Sequence, residues 1–264
     1  MLRFYVEVAR TAFRRQMIYR WANLAGLVTN GFWGALISYV TIALYASRPV
    51  VAGYSVTDTL RYTWLVQAMI MVVLPFGWFD LLLTIRTGEV AADLNKPCDF
   101  YAYWFSREVG RDVYYLFLRC VPTYLMGMLL FGIGVPAGGG YWLPFALSLA
   151  LAAGIGIAFR FLANIAAFWL IEGRAAAGLA FTIALFCGGS YVPVVFFPPV
   201  VRAVIEWLPF SAMFNTPAEI FIGSVLGAAT LPALARQVLW LVALTGIARW
   251  LTARATRRVV VQGG

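Results

Sequence analysis

The chain has 264 residues, 62% of them hydrophobic and only 12% charged, against about 25% charged in ordinary soluble domains. A soluble globule this apolar has too little polar surface to cover itself, so composition points to a polytopic membrane protein. The net charge of +9 comes from nineteen arginines and one lysine set beside apolar runs, a pattern that fits membrane topology rather than nucleic acid as a partner.

Residue types that are missing narrow the chemistry. There is no histidine, which excludes a His-based triad, His metal ligation and a His proton relay. Cys98, Cys120 and Cys187 are far apart with no CxxC between them, which argues against a disulfide framework and a zinc site. The single lysine, Lys96, stands between Asn95 and Pro97, so no GxxxxGK[ST] loop exists and the chain does not hydrolyse nucleotides through one.

In chain order, residues 1–20 read as an amphipathic helix at a membrane surface. Arg3, Glu7, Arg10 and Arg14 share one face; Leu2, Tyr5, Ala9, Phe13 and Met17 share another. The segment does not read as a cleaved signal peptide, because the apolar run behind it is too long for one. Six spans are expected: about 21–46; about 61–85, kinked at Pro75-Phe76-Gly77; about 113–135, with Pro122 inside; about 142–171; about 176–196; and about 231–252. Glu172-Gly173-Arg174 is a tight polar connection. Residues 197–229, interrupted by Pro198, Pro199, Pro209 and Pro217, are too broken for one span and read as re-entrant or surface helices on the outer side. With six spans, the amino-terminal segment, residues 86–112, the 172–174 turn and the tail lie on one side and, counting Arg249 at the inner end of the last span, hold fourteen of the twenty basic residues. That side, and both termini, are expected to be cytoplasmic.

Residues 86–112, RTGEVAADLNKPCDFYAYWFSREVGRD, form a polar island between two apolar runs. Thr87 is expected to cap a short helix over 88–94, Pro97 to stop it, and Asp99 to cap a second helix over 100–112. Phe100, Tyr101, Trp104 and Phe105 make one stripe of that second helix, suited to the headgroup level. The island is either a solvated loop between spans or a docking element for a cytoplasmic partner; its length, beside a three-residue turn elsewhere on that side, favours docking.

The layout resembles the membrane subunit of ABC-2 type transporters, in particular six-span permeases found as two permeases beside one ATPase. Gly88-Glu89-Val90-Ala91-Ala92-Asp93-Leu94-Asn95-Lys96-Pro97 resembles that family's pattern of Gly, an apolar pair, Leu and a basic residue before Pro after span two. PFSAMFNTPAEIFIG (209–223) resembles its outer re-entrant helices, and RRVVVQGG (257–264) its closing residues. The resemblance implies a single all-α transmembrane domain over 1–264. It also implies that 86–97 sits in a groove of a nucleotide-binding subunit, with Gly88, Glu89, Asp93, Leu94, Lys96 and Pro97 at the contact. A dimeric ATPase would bind ATP and magnesium, a second permease chain, identical or homologous, would complete the pathway, and the chain itself would need no cofactor and no catalytic residue.

Three charges fall within expected spans at similar depth: Asp80, Arg119 and Arg160. Asp80 is expected to pair with Arg160 or Arg119 in an inner-leaflet network that Asn164, one turn from Arg160, can join; the alternative is that each arginine snorkels singly. Gly154, Gly156, Gly188 and Gly189 mark close helix packing. Trp33, Trp64, Trp78 and Trp169 read as interface anchors. The leading function is a membrane subunit of an exporter for a hydrophobic or amphiphilic cargo. An ion-coupled carrier, with Asp80 as its acid, and an integral membrane enzyme, with Glu206 and Glu219 or Glu89 and Asp93, are the alternatives.

Overall fold

The computed structural model of the protein describes residues 2–75, 78–170 and 173–256. The expected features at Phe76, Gly77, Glu172 and 257–264, including the basic end of the tail, lie outside the described residues. The chain is built from helices, with one short hairpin. Helix α1 (Leu2–Gln16) passes through a single 3₁₀ turn into α2 (Arg20–Tyr45). The hairpin pairs β1 (Val50–Val51) with β2 (Tyr54–Ser55), turning through Ala52 and Gly53, both at positive φ. It leads into α3 (Val56–Val73), whose start is fixed by a capping box: the Ser55 hydroxyl accepts from the Asp58 N–H, and the Asp58 carboxylate accepts from the Ser55 N–H.

Helix α3 is the axis of the fold. Thirteen of its 18 residues are buried, and α2, α7, α8 and α12 pack around it. It ends at Val73, and the expected second span is not one kinked rod. It is two helices, α3 and α4 (Asp80–Thr87), with non-helical backbone at Leu74 and Pro75 after the first and at Trp78 and Phe79 before the second. Proline denies the backbone a donor, and the residue before it disfavours helical geometry.

The short α5 (Val90–Leu94) follows, then α6 (Phe100–Tyr115). Helix α6 is not a separate surface helix leading into span three. It runs through a π turn, Leu116–Cys120, into α7 (Val121–Phe131) as one apolar rod. Pro122 has no N–H for the Leu118 carbonyl, and the widened turn absorbs that loss. The remaining helices are α8 (Trp142–Ile165), α9 (Gly173–Cys187), α10 (Pro199–Trp207), α11 (Pro209–Met213), α12 (Asn215–Ile222) and α13 (Thr230–Ala255). The 197–229 stretch is thus broken into short helices at its prolines, as expected.

Among the described residues four helical segments are long and apolar enough to cross a membrane: Leu2–Tyr45, Phe100–Phe131, Trp142–Phe168 and Gly227–Ala255. Helix α9, with 15 residues, is about 22 Å long, against a hydrocarbon core of about 30 Å. Helix α1 does not lie free. Its Tyr5, Val8, Ala9, Ala12, Phe13 and Gln16 form a half-buried stripe against α6, where Gly110 admits the Ala9 backbone, Phe13 meets Tyr114 edge-on, and the Tyr115 hydroxyl donates to Gln16.

The glycines read as packing positions behave so. A side chain at Gly156 would strike the Val73 carbonyl, one at Gly154 would press on Leu241, and Gly188 faces Phe214. Two tryptophans depart from the expected anchoring role. Trp64 is fully buried between Gly34 and Gly127 and donates to the Ser38 hydroxyl at 2.9 Å. Trp78 lies beneath the Arg111 guanidinium, 3.8 Å from its ring centre.

Candidate functional site

Residues 80–112 fold as a compact turn-back of α4, α5 and α6. Gly88 ends α4 in the left-handed region, φ 79°, which a side chain would strain. Thr87 does not cap the following helix. It is still inside α4, and its hydroxyl donates backward to the Leu83 carbonyl at 3.1 Å, the usual alternative for a threonine in a helix. Helix α5 starts at Val90 with no side-chain cap, whereas Asp99 caps α6 as expected, accepting from the Ala102 N–H at 2.7 Å.

Of the sequence-predicted contact residues, the fold brings Asp93 and Lys96 together at 2.6 Å, with the ammonium 4.0 Å from the Tyr103 ring centre. Burial opposes the charge on Lys96, but Asp93 and Tyr103 outweigh it and hold the lysine above its ordinary pKa. Gly88, Glu89 and Pro97 are exposed and Leu94 is half-buried. Glu89 and Asp93 share a polar groove of about 520 Å³ with Arg15 and Arg107, and Lys96 and Pro97 share an apolar groove of about 430 Å³ with Phe4 and Tyr5. The amino-terminal helix therefore forms part of both grooves. Underneath, Val90, Phe100, Tyr101 and Trp104 are buried against Leu81, Phe161, Ile165 and Ala248. The aromatic stripe of α6 is core, not a headgroup belt.

At the root of this segment lies a buried charge cluster. Glu108, Arg111 and Asp112 of α6 meet Arg160 of α8, all between 1% and 7% exposed. Arg111 reaches Glu108 at 2.7 Å and Asp112 at 3.0 Å; Arg160 reaches Glu108 at 3.2 Å and Asp112 at 2.9 Å. Two acids and two arginines neutralise one another, which burial demands. Arg160 also donates to the Val72 and Val73 carbonyls at the end of α3. One turn on, the Asn164 side chain accepts from the Leu82 N–H in the first turn of α4 and donates to the Trp78 carbonyl. Carbonyls at a helix end and N–H groups at a helix start lack internal partners. Arg160 and Asn164 supply them on both sides of the break and splint it.

The expected pairing of Asp80 with Arg160 or Arg119 is overturned. Asp80 lies at the edge, about a third exposed, and pairs with Arg107 at 3.4 Å. Arg160 is held by the α6 acids, and Arg119 donates to the Asn23 carbonyl at 3.3 Å. Asn164 is beside Arg160 but serves the backbone. The island was expected to face water throughout, yet Glu108, Arg111 and Asp112 turn inward. A signal for this was present: residues 104, 108, 111, 112 and 115 repeat at helical spacing, so these charges share a face with Trp104 and Tyr115.

The profile of a family described as ABC-2 family transporter protein matches residues 32–263, from within α2 through the turn-back and every later element. No curated protein matches the sequence.

Proposed function

The chain belongs to the ABC-2 family of transporter proteins, and from that premise we propose that it is the membrane subunit of an ATP-driven exporter whose turn-back, residues 86–112, couples an ATPase to the spans. It is a multi-pass membrane protein of ABC-type transport. In this reading six spans cross the inner, cytoplasmic membrane, with α3–α4 together as the second and α9 with its following turn as the fifth, and both termini are cytoplasmic. A separate dimeric ATPase binds ATP and magnesium, and a second permease, identical or homologous, completes the pathway for a hydrophobic or amphiphilic cargo.

One observation carries the coupling role: segment 88–97, which presents Gly88, Glu89 and Pro97 at the surface, is flanked by α4 and α6, and these are tied through Asn164 and Arg160 to the break in the axial helix. A push on α5 is passed to α4 and α6 together. Both are bonded to α8, and Arg160 grips the end of α3. A rigid-body shift of the turn-back therefore moves the axis of the fold rather than a loose loop.

Charge reversal at Glu89, Asp93 and Lys96 tests the contact. The expected result is loss of co-purification with the ATPase, membrane insertion unchanged. Arg160→Gln is expected to keep the ATPase bound while nucleotide hydrolysis no longer drives transport in vesicles. Normal association and turnover in the reversal variant would place the contact elsewhere.

A further inference from the structure

Asp80 and Arg119 both fall outside the charge cluster, but Asp80 has Arg107 beside it and Arg119 has no acid within ion-pair distance among the described residues. It sits in the π turn between α6 and α7, 4% exposed. The acids nearby are satisfied by other arginines: Asp80 by Arg107, Glu108 and Asp112 by Arg111 and Arg160. Among the described residues its one hydrogen bond is to the Asn23 carbonyl, and its Nε has no partner. A buried guanidinium with a single neutral acceptor is an uncompensated charge, which is costly. Gly26 on α2 is where that cost becomes a site: a Cβ there would strike the guanidinium, so only glycine leaves the head room in its present place.

Arg119 also stands where two cavities meet, sharing Met71 with it as a common wall. One, about 390 Å³, has the charged side chains of Arg15, Asp80 and Arg107 on its wall. The other, about 650 Å³, is walled mainly by apolar side chains such as Trp33, Ile37, Ile70 and Leu185. Thr29, Asn30, Gln67, Ser190 and Tyr191 are its further polar points. That volume is in the range of small-molecule sites. A π turn inside an α-helical rod often marks a functional position, and here it is the turn that holds Arg119.

We propose that Arg119 is the head-group anchor of a binding site for an anionic amphiphile: a carboxylate or phosphate accepts from the guanidinium, and the apolar body fills the larger cavity. A guanidinium suits such a head because it donates two parallel hydrogen bonds in one plane. The inference rests on the transport reading for its purpose but not for its test, which needs no nucleotide and no partner.

The test is equilibrium binding to the purified full chain in nanodiscs of neutral lipid, with radiolabelled hexadecanoate and its uncharged counterpart hexadecanol. Wild type is expected to bind the acid at least tenfold more tightly. Arg119→Gln is expected to abolish that preference without changing hexadecanol binding, which also reports that the cavity is folded. Arg119→Lys should keep part of the preference, and Gly26→Ala, which displaces the guanidinium, should reduce it. Competition separates the sources. Displacement by both dodecyl phosphate and phosphatidylglycerol supports a site open to membrane phospholipid. Displacement by dodecyl phosphate alone supports a free single-chain cargo. Displacement by inorganic phosphate as strongly as by dodecyl phosphate would overturn the amphiphile assignment. Equal binding of acid and alcohol by wild type, or a preference that survives Arg119→Gln and Gly26→Ala, would overturn the site. If acid preference is lost while ATP-driven transport persists, this inference alone fails. If the preference holds but no ATPase drives the chain, the exporter reading alone fails.

Discussion

Arg160 shows how much one side chain can hold. It neutralises part of two buried acids and closes the free carbonyls at the end of α3. Arg160→Met strands Glu108 and Asp112 with Arg111 alone, so a loss of about 3–5 kcal/mol is expected, read from denaturant titration of the purified chain. Combining it with Asp112→Leu is expected to cost at least about 0.5 kcal/mol less than the sum of the single changes, because the two residues share one interaction. Asp80→Asn should cost no more than about 1 kcal/mol, as its pair with Arg107 is partly exposed, and a charge swap between Asp80 and Arg160 should rescue nothing. Lys96 gives a different readout. Its pKa is raised in the fold, so its pairing with Asp93 is fully present below the ordinary lysine range and is lost only as pH rises through the folded value. Acylation of Lys96 at mildly alkaline pH should therefore be slower than that of a free lysine side chain, and Asp93→Asn should speed it. The residue types in this cluster were legible in the sequence. Their partners were not, since a carboxylate in a list does not say which of two arginines on other helices it will meet.

At the scale of elements, local chemistry predicted starts and stops where the signal was local. Asp99 capped α6, the prolines broke 197–229, and Tyr5, Ala9 and Phe13 of the apolar stripe of α1 found a face to cover, while Leu2 and Met17 stayed exposed. Thr87 failed as a cap because α4 continued two residues past the expected end of the span, and a threonine inside a helix bonds back to its own carbonyls. The sequence marks span two as one helix kinked at Pro75-Phe76-Gly77, because hydropathy and a proline do not tell a kink from a break that another helix repairs. The α1–α6 contact depends on one small residue, Gly110, against the Ala9 backbone. Gly110→Val should lift α1 away, and maleimide labelling of an Ala12→Cys reporter should rise several-fold in that background. An unchanged rate would mean that the contact does not hold α1.

For the whole molecule, arginine asymmetry implies an orientation that can be tested directly. A fluorescent protein fused to the carboxyl terminus should light up, an alkaline phosphatase at the same point should stay inactive, and cysteines placed at Gly138 or Gly140 should react with an impermeant reagent from outside. Active phosphatase at the tail would reverse the topology and put residues 86–112 on the wrong side for an ATPase.

Composition and periodicity alone determined that this is a helical membrane protein with a charged turn-back between apolar runs, because hydrophobic length and helical spacing are properties of a single segment. The family resemblance was also legible, because motifs are contiguous. Only the tertiary structure decided that the turn-back is rooted in a neutral two-by-two charge cluster, that α8 splints a broken axial helix, and that Arg119 stands between two cavities with no acid beside it among the described residues. Each depends on which helices lie side by side, and a buried charge takes its partner from whatever the packing brings within reach.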